Sequence, residues 1–469
     1  MKRLFQLVPI AIGMATTVFL ASCSDDDGPV NPGPNSEYVE LSGDIETQTL
    51  TKDKRYLIVG QTFIRSGEVL TIEPGTVVFG DKRTRGTLIV DRGGKMIAQG
   101  TREEPIVMTS NQLPGERDRG DWGGLVIIGN AQTNQTNPNI EGIDPPVTFG
   151  SNDDSHNDDD SGIYEYLRVE FAGIELSPNN ETNSITMGGV GRGTKMENCM
   201  VSFGGDDGFE WFGGTVDGKN LISFAMWDDD YDVDFGYSGN VQFGLAVRYR
   251  GYADQSESNA FECDNGPNDN DVQPYTTGTF SNFTVIGPIH EGTSPGNNNF
   301  AYAVDLRRRT AVTITNSVFT GFPRALRMNQ PSVYQQYAVN ENGYIANNIF
   351  HAPNEKFRAG TGVEVDNIAA YIEAHNTVIN EPASQDGHEA LGLKQDWFFG
   401  TKLTNQYPAN PNYTVGEGMI ASGASFDLPK FEEANRAAFF DTSVEFIGAF
   451  GGTDWTDGWA EFNPVDREY

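Results

Sequence analysis

Carboxylates carry the strongest chemical signal in this chain. Asp206 and Asp207 are followed by Glu210, and 22 residues after Glu210 comes Asp232, inside the run Asp228-Asp229-Asp230-Tyr231-Asp232-Val233-Asp234. Glu262 and Asp264 lie one repeat further along. Alternation along an extended strand puts Asp230, Asp232 and Asp234 on one face. Either Asp230 with its partners or Asp229 with its own therefore points inward, but not both sets. Stacking at the strand spacing of about 4.8 Å would bring Glu210, one of that set and Glu262 together. Ionised carboxylates so close repel, and they need a hard cation, an arginine or partial protonation. Oxygen-only ligands at this density suit calcium. The candidate ligands are Asp206, Asp207, Glu210, Asp229, Asp230, Asp232, Asp234, Glu262 and Asp264, and the competing reading is a solvated acidic face. Asp228-x-Asp230-x-Asp232 is not an EF-hand loop, because the glycine and the final glutamate are missing.

The same carboxylates could hydrolyse a glycoside, one as acid and one as base or nucleophile. Asp206, Asp207, Glu210 and Asp232 are the candidates for that role. A lyase would need a base beside the cation. Arg248, Arg250, Arg307, Arg308 and Arg309 are available, but bracing of stacked acids explains them equally well. His156, His290, His351, His375 and His388 each stand alone, without triad or metal spacing. A second acidic run, Asn152 to Asp160, reads as an exposed loop, with a loop calcium site as the lesser reading.

The elements that must position these residues are short strands. Tyr56-Leu57-Ile58-Val59, Val69-Leu70-Thr71-Ile72, Thr87-Leu88-Ile89-Val90 and similar runs are bounded by Gly, Pro, Asn or Asp. These are strand and turn signals. No window keeps a helical period before the C-terminus. Asn198, Asn220, Asn240, Asn282, Asn316, Asn348 and Asn376 each stand at the mouth of an apolar strand, at spacings of 22, 20, 42, 34, 32 and 28. The 42 reads as two coils, and the longer spacings as coils with inserted loops. A period this short suits a parallel β-helix, with Asn at a left-handed bend and bonded to its neighbours above and below. The predicted class is all-β, a right-handed parallel β-helix with a small C-terminal cap containing a short helix.

Further motifs give a resemblance. Leu70-Thr71-Ile72-Glu73-Pro74-Gly75-Thr76, Gly120-Asp121-Trp122-Gly123-Gly124, Arg168-Val169-Glu170-Phe171-Ala172-Gly173, Asp206-Asp207-Gly208-Phe209-Glu210-Trp211-Phe212-Gly213-Gly214 and Phe446-Ile447-Gly448-Ala449-Phe450 belong together. Over residues 41–469 the chain resembles the pectate-lyase-like, right-handed parallel β-helix surface lipoproteins of Bacteroidota. The resemblance implies a fold and a location more than a chemistry. Some of these proteins accompany TonB-dependent outer-membrane receptors, which implies nutrient capture with such a receptor as partner and a glycan as ligand. Asp206-Asp207 also resembles the Gly-Asp-Asp of β-helical polygalacturonases, but the companion motifs of those enzymes are missing.

The N-terminus reads as an address. Lys2 and Arg3 precede the apolar stretch Leu4 to Leu20, and Leu20-Ala21-Ser22-Cys23 resembles a lipobox with Cys23 as the lipidated residue. The expected division is a signal peptide over 1–22, an acidic Pro/Gly-rich tether over 23–40, the β-helix over 41–384 and a capping segment over 385–469. Acyl chains would attach the protein to the outer membrane, facing the cell exterior. A formal charge of −34 repels phosphate backbones, so nucleic-acid binding is excluded. Export would place Cys199 and Cys263 in an oxidising compartment, where a disulfide between them is expected. Near the C-terminus, Pro429 to Phe440 has apolar residues at helical spacing with Asp427 as a cap, predicting a short helix that covers an open end of the solenoid. Trp455 and Trp459 follow, either packed or as a carbohydrate platform.

Overall fold

The computed structural model describes residues 38–140, 142–177, 180–289, 296–379, 391–397, 399 and 407–469. Cys23, the signal peptide, nearly all of the tether, His290 and His388 lie outside these residues. Strands from Tyr38–Ile45 to Thr377–Val378 join by parallel ladders into one 26-stranded sheet. A coil pairs a long strand with a short one. Lys195–Ser202 and Phe209–Phe212 form one coil, Asp217–Phe224 and Tyr231–Asp234 the next, and Asn240–Val247 with Phe261–Cys263 the third. Long strands stack on long and short on short, so Cys199 pairs with Leu221 and Leu221 with Gly244. This is the right-handed parallel β-helix expected from the repeat.

The asparagines explain the corners. Asn198, Asn220, Asn282 and Asn316 have φ of 54°, 57°, 61° and 52°, which kinks each chain from one face of the solenoid to the next. The side chains ladder between coils, Asn220 Nδ2 donating to Asn198 Oδ1 at 3.0 Å. Two positions differ from the expectation. In the coil of Asn240 it is Phe243 that bends, at φ 65°, while Asn240 donates to Asp217 at the strand's start at 2.7 Å. At the later coil Asn347 bends, at φ 58°, and Asn348 donates instead to Asn376 Oδ1 at 3.0 Å. The 42-residue spacing is one coil, not two, since Asn240–Val247 pairs directly with Thr279–Ile286. The extra residues are loops on either side of Phe261–Cys263.

The interior is apolar and rich in rings. Phe209, Tyr231 and Phe261 stack through successive coils with centroids 5.9 and 5.0 Å apart. Two helices inside the solenoid region were not expected, Pro331–Ala338 and Val365–His375. The second buries only Ile368 and Ile372 against the core, too narrow a stripe to register as a helical period. The tail forms a 3₁₀ turn over Pro429–Glu432 and a short helix over Ala434–Phe439, interrupted by extended backbone at Glu433. Asp427 does not cap it; its carboxylate accepts from Ser425 Oγ at 3.0 Å.

The tail also runs elsewhere than expected. It lies along the side of the solenoid, not across an open end. Gly423 accepts from Asn347 (2.9 Å), Ser425 from Asn316 (2.9 Å), Asp441 from Gln242 (3.1 Å), Trp459 from Arg168 (3.1 Å) and Pro464 from Arg117 (3.0 Å), each through its carbonyl. The segment therefore descends from late coils to early ones. It covers outward apolar residues of the long strands, among them Met200, Ile222 and Leu245. That coverage is its physical reason: those strands are apolar on both faces.

Candidate metal centre

The short strands carry one column of polar residues. Thr186, Glu210, Asp232, Glu262, Asp305, Arg327 and Arg358 are register partners in that order, one per coil. Their strand neighbours Phe209, Trp211, Tyr231, Val233, Phe261 and Cys263 fill the core. Alternation therefore sends the carboxylates outward. Beside the column, the turns before the short strands form a second ladder. Asp207 accepts from the backbone N–H of Asp229 at 2.8 Å, Asp229 from that of Asn259, and Asn259 Oδ1 from that of Tyr302 at 3.1 Å.

The two ladders meet in three overlapping groups, Asp206–Asp207–Asp228, Asp207–Glu210–Asp232 and Asp229–Asp232–Glu262. Within each, one oxygen per residue lies within 4.8 Å of the others. Asp207 and Asp232 each belong to two groups. Asp228 stood in the acidic run but was not among the expected ligands.

Three expected ligands fall elsewhere. Asp230 lies in the turn ahead of Tyr231–Asp234, so strand alternation does not govern it. Its side chain is interior, bonded by Ser223 Oγ at 2.7 Å and 3.3 Å from Arg248. Asp264 is held by Arg307 and Arg308, each at 2.6 Å. Asp234 accepts from the backbone N–H of Phe235 at 2.6 Å and joins no group.

Charge divides the column. Arg327 clamps Asp305 through two bonds of 2.8 and 2.5 Å, and Arg307 spans Glu262 and Asp264. Among the described residues, no lysine or arginine forms an ion pair with Asp207, Glu210, Asp229 or Asp232. Glu210 accepts from Asn183 Nδ2, a partner the sequence reading missed. Burial, with the charges of neighbouring carboxylates, holds Asp207, Glu210 and Asp229 well above the usual carboxylate range. Burial and the charge of Asp264 raise Asp232 to about 7, with Arg307 opposing. Asp207, Glu210 and Asp229 are 7%, 8% and 3% exposed, so the solvated-face reading does not hold for them. The buried Oδ1 of Asp232 has no hydrogen-bond partner. A cavity of about 130 Å³ opens onto Asp206, Asp207 and Glu210, walled by Asn183, Thr186 and Phe212. An orphaned oxygen in a shared, all-oxygen donor set fits a hard divalent cation.

The arginines do not sit as bases. Burial acts to lower Arg307, but its hydrogen bonds to Asp264 and the charge of Glu262 outweigh this and raise it. Arg309 lies near Asp269 and Asp271, at 3.7 and 3.6 Å. The Asn152–Asp160 run is a surface turn in which Asp153 caps a 3₁₀ turn and Asp160 pairs with Lys95 at 2.5 Å.

Two further expectations are corrected. Cys199 and Cys263 are free, buried thiols. They belong to a long and a short strand in different coils, on different faces of the solenoid, and each packs in the core. Trp455 and Trp459 form no platform. Trp459 is 1% exposed and donates to Trp455 O at 2.7 Å, while Trp455 stacks on Phe450 at 5.1 Å. Both are used in packing the tail.

Residues 43–398 match the family model for the pectate-lyase-like beta helix domain. The chain belongs to that family. No curated protein and no solved structure matches it.

Proposed function

We propose that this β-helix is a non-catalytic binding module of the cell surface, stabilised by calcium and engaged in glycan capture. The observation that supports it is the shared donor set: Asp207 and Asp232 each join two carboxylate groups, without an ion pair to offset their charge. Calcium would be held by Asp207, Glu210, Asp229, Asp232 and Glu262, with Asp206 and Asp228 at one end. In this reading lipid on Cys23 anchors the chain to the outer membrane, and a TonB-dependent receptor is the partner. Arg307 and Arg308 are both engaged by Asp264, which argues against a lyase that uses either of them as its base.

A polysaccharide-degrading reading has one observation in its favour. A cleft holds Asp206 and Asp228 beside Trp227, a pair of carboxylates next to an aromatic ring. Calcium calorimetry, a glycan array and a reducing-sugar assay on the purified chain separate the two. Calcium uptake and glycan retention without sugar release are the expected results. Release that Asp206→Asn or Asp228→Asn abolishes would establish the hydrolase instead.

A further inference from the structure

The cleft beside the carboxylate column encloses about 790 Å³, at the corner where long strands turn into short ones. Its floor is backbone. Gly120, Gly173 and Gly205 come from three coils and touch, so that a Cβ on Gly205 would stand 2.4 Å from Gly173 O and 2.8 Å from Gly120 Cα. No side chain can rise there, and a flat ligand can approach the main chain. One wall is Trp227. Its indole N–H donates to Asp254 at 2.9 Å, and the Arg119 guanidinium lies over its ring at 3.3 Å from the centroid. Ser256 Oγ bonds both Asp254 (2.7 Å) and Asp228 (3.1 Å). This wall is flat and fixed by hydrogen bonds before any ligand arrives.

The lining defines the ligand's chemistry. Among the described lining residues only Ile174 and Trp227 are apolar, which gives a lipid or an apolar peptide anchor little to bury. Among the described lining residues four carboxylates face two arginines, so even with one divalent cation on Asp206 and Asp228 the cleft offers a polyanion no net attraction. Carboxylate acceptors, guanidinium donors and an indole edge together suit a molecule covered in hydroxyl groups. The volume falls within the roughly 300–1,000 Å³ of small-molecule sites.

We propose that this cleft binds a neutral, hydroxyl-rich oligosaccharide, lying on the glycine floor against the Trp227–Arg119 stack, with its hydroxyls donating to Asp254 and Asp206. The proposal rests on the binding-module reading and gives its glycan a place and a charge class.

The test is calorimetry of the purified full chain in detergent and calcium. The probes are maltohexaose, cellohexaose, xylohexaose and mannohexaose, with polygalacturonate as the anionic comparison. At least one neutral hexasaccharide should bind, and Trp227→Ala should weaken it tenfold or more. Gln255→Trp, an exposed rim position, should do the same by filling the cleft while leaving the melting temperature unchanged. Neutral binding that neither variant moves would overturn the cleft and leave the module standing. Binding of polygalacturonate alone would overturn the charge class. No saccharide binding alongside calcium uptake would overturn both the cleft and the glycan part of the reading, leaving the cation part intact.

Discussion

Arg248 carries its charge where no water reaches it. It and Asp230 are both 0% exposed, 3.3 Å apart, with the guanidinium 5.2 Å from the Phe300 ring. A buried pair gains little over an apolar replacement, but one left without its partner is costly. Arg248→Leu should therefore lower stability by about 3–5 kcal/mol in urea unfolding, while the double variant with Asp230→Asn should recover most of that loss. The pair also sets a pH dependence. Burial raises Asp230 to about 6 in the fold, with Arg248 opposing, against about 3.9 when unfolded. Its folded pKa lies above the unfolded one, so its contribution is complete below about pH 4 and lost as pH rises through about 6. The deficit of Asp230→Asn against the parent chain should thus be larger at pH 4 than at pH 7. Equal urea midpoint differences at the two pH values would refute this.

At the scale of the element, the left-handed corner is what turns a row of strands into a solenoid. Asn282 shows the two jobs of that corner. Its φ is 61°, and its side chain donates to Phe446 O of the tail at 3.0 Å while accepting from Gln242 at 3.2 Å. Asn282→Gly keeps the bend and loses the bonds, at a cost of about 1–3 kcal/mol. Asn282→Ala should cost about 1 kcal/mol more, since it adds a left-handed Cβ to the same losses. Urea unfolding of both variants checks the order, and Gly less stable than Ala would show that the bend is not the constraint. These asparagines were legible because αL geometry restricts residue type at a fixed place in each coil. The register was less so: Phe243 bends where Asn was expected, because neighbouring coils impose the corner whatever residue occupies it. The column Glu210–Asp232–Glu262 was legible for the same repeat reason, with its spacing set by one coil per residue. Bracing by Arg248, Arg307 and Arg308 was legible as one of two alternatives, but not which acid each reaches, because an ion pair depends on which coil it reaches. The tail's course was hidden too, since apolar residues on both faces of Met200–Val201 and Leu245–Ala246 signal burial without naming the cover.

Over the whole molecule, a charge of −34 must be reconciled with buried carboxylates. The arginines resolve it at the end of the column near Asp305, and at the tail the Tyr469 hydroxyl donates to the buried Glu170. The remaining groups must either take up protons or bind a cation. Burial and mutual repulsion raise Asp207, Glu210 and Asp229, and Asp232 to about 7. All of these lie above their unfolded values, so without a cation the fold loses stability as pH rises from about 4 through about 7. A cation that binds only the folded chain adds RT ln(1 + [L]/Kd), about 2.7 kcal/mol at a hundredfold excess. It displaces the protons it competes with, so its benefit grows with pH. Scanning fluorimetry should therefore show a higher melting temperature in millimolar calcium than in EDTA, with a wider gap at pH 7.5 than at pH 5. Asp207→Ala or Asp232→Ala, each shared by two groups, should shrink that gap. Asp158→Ala should leave it, since that side chain is 88% exposed and belongs to none of the three carboxylate groups. Identical melts in calcium and EDTA at pH 7.5, with no metal by elemental analysis, would mean that protons alone neutralise the column.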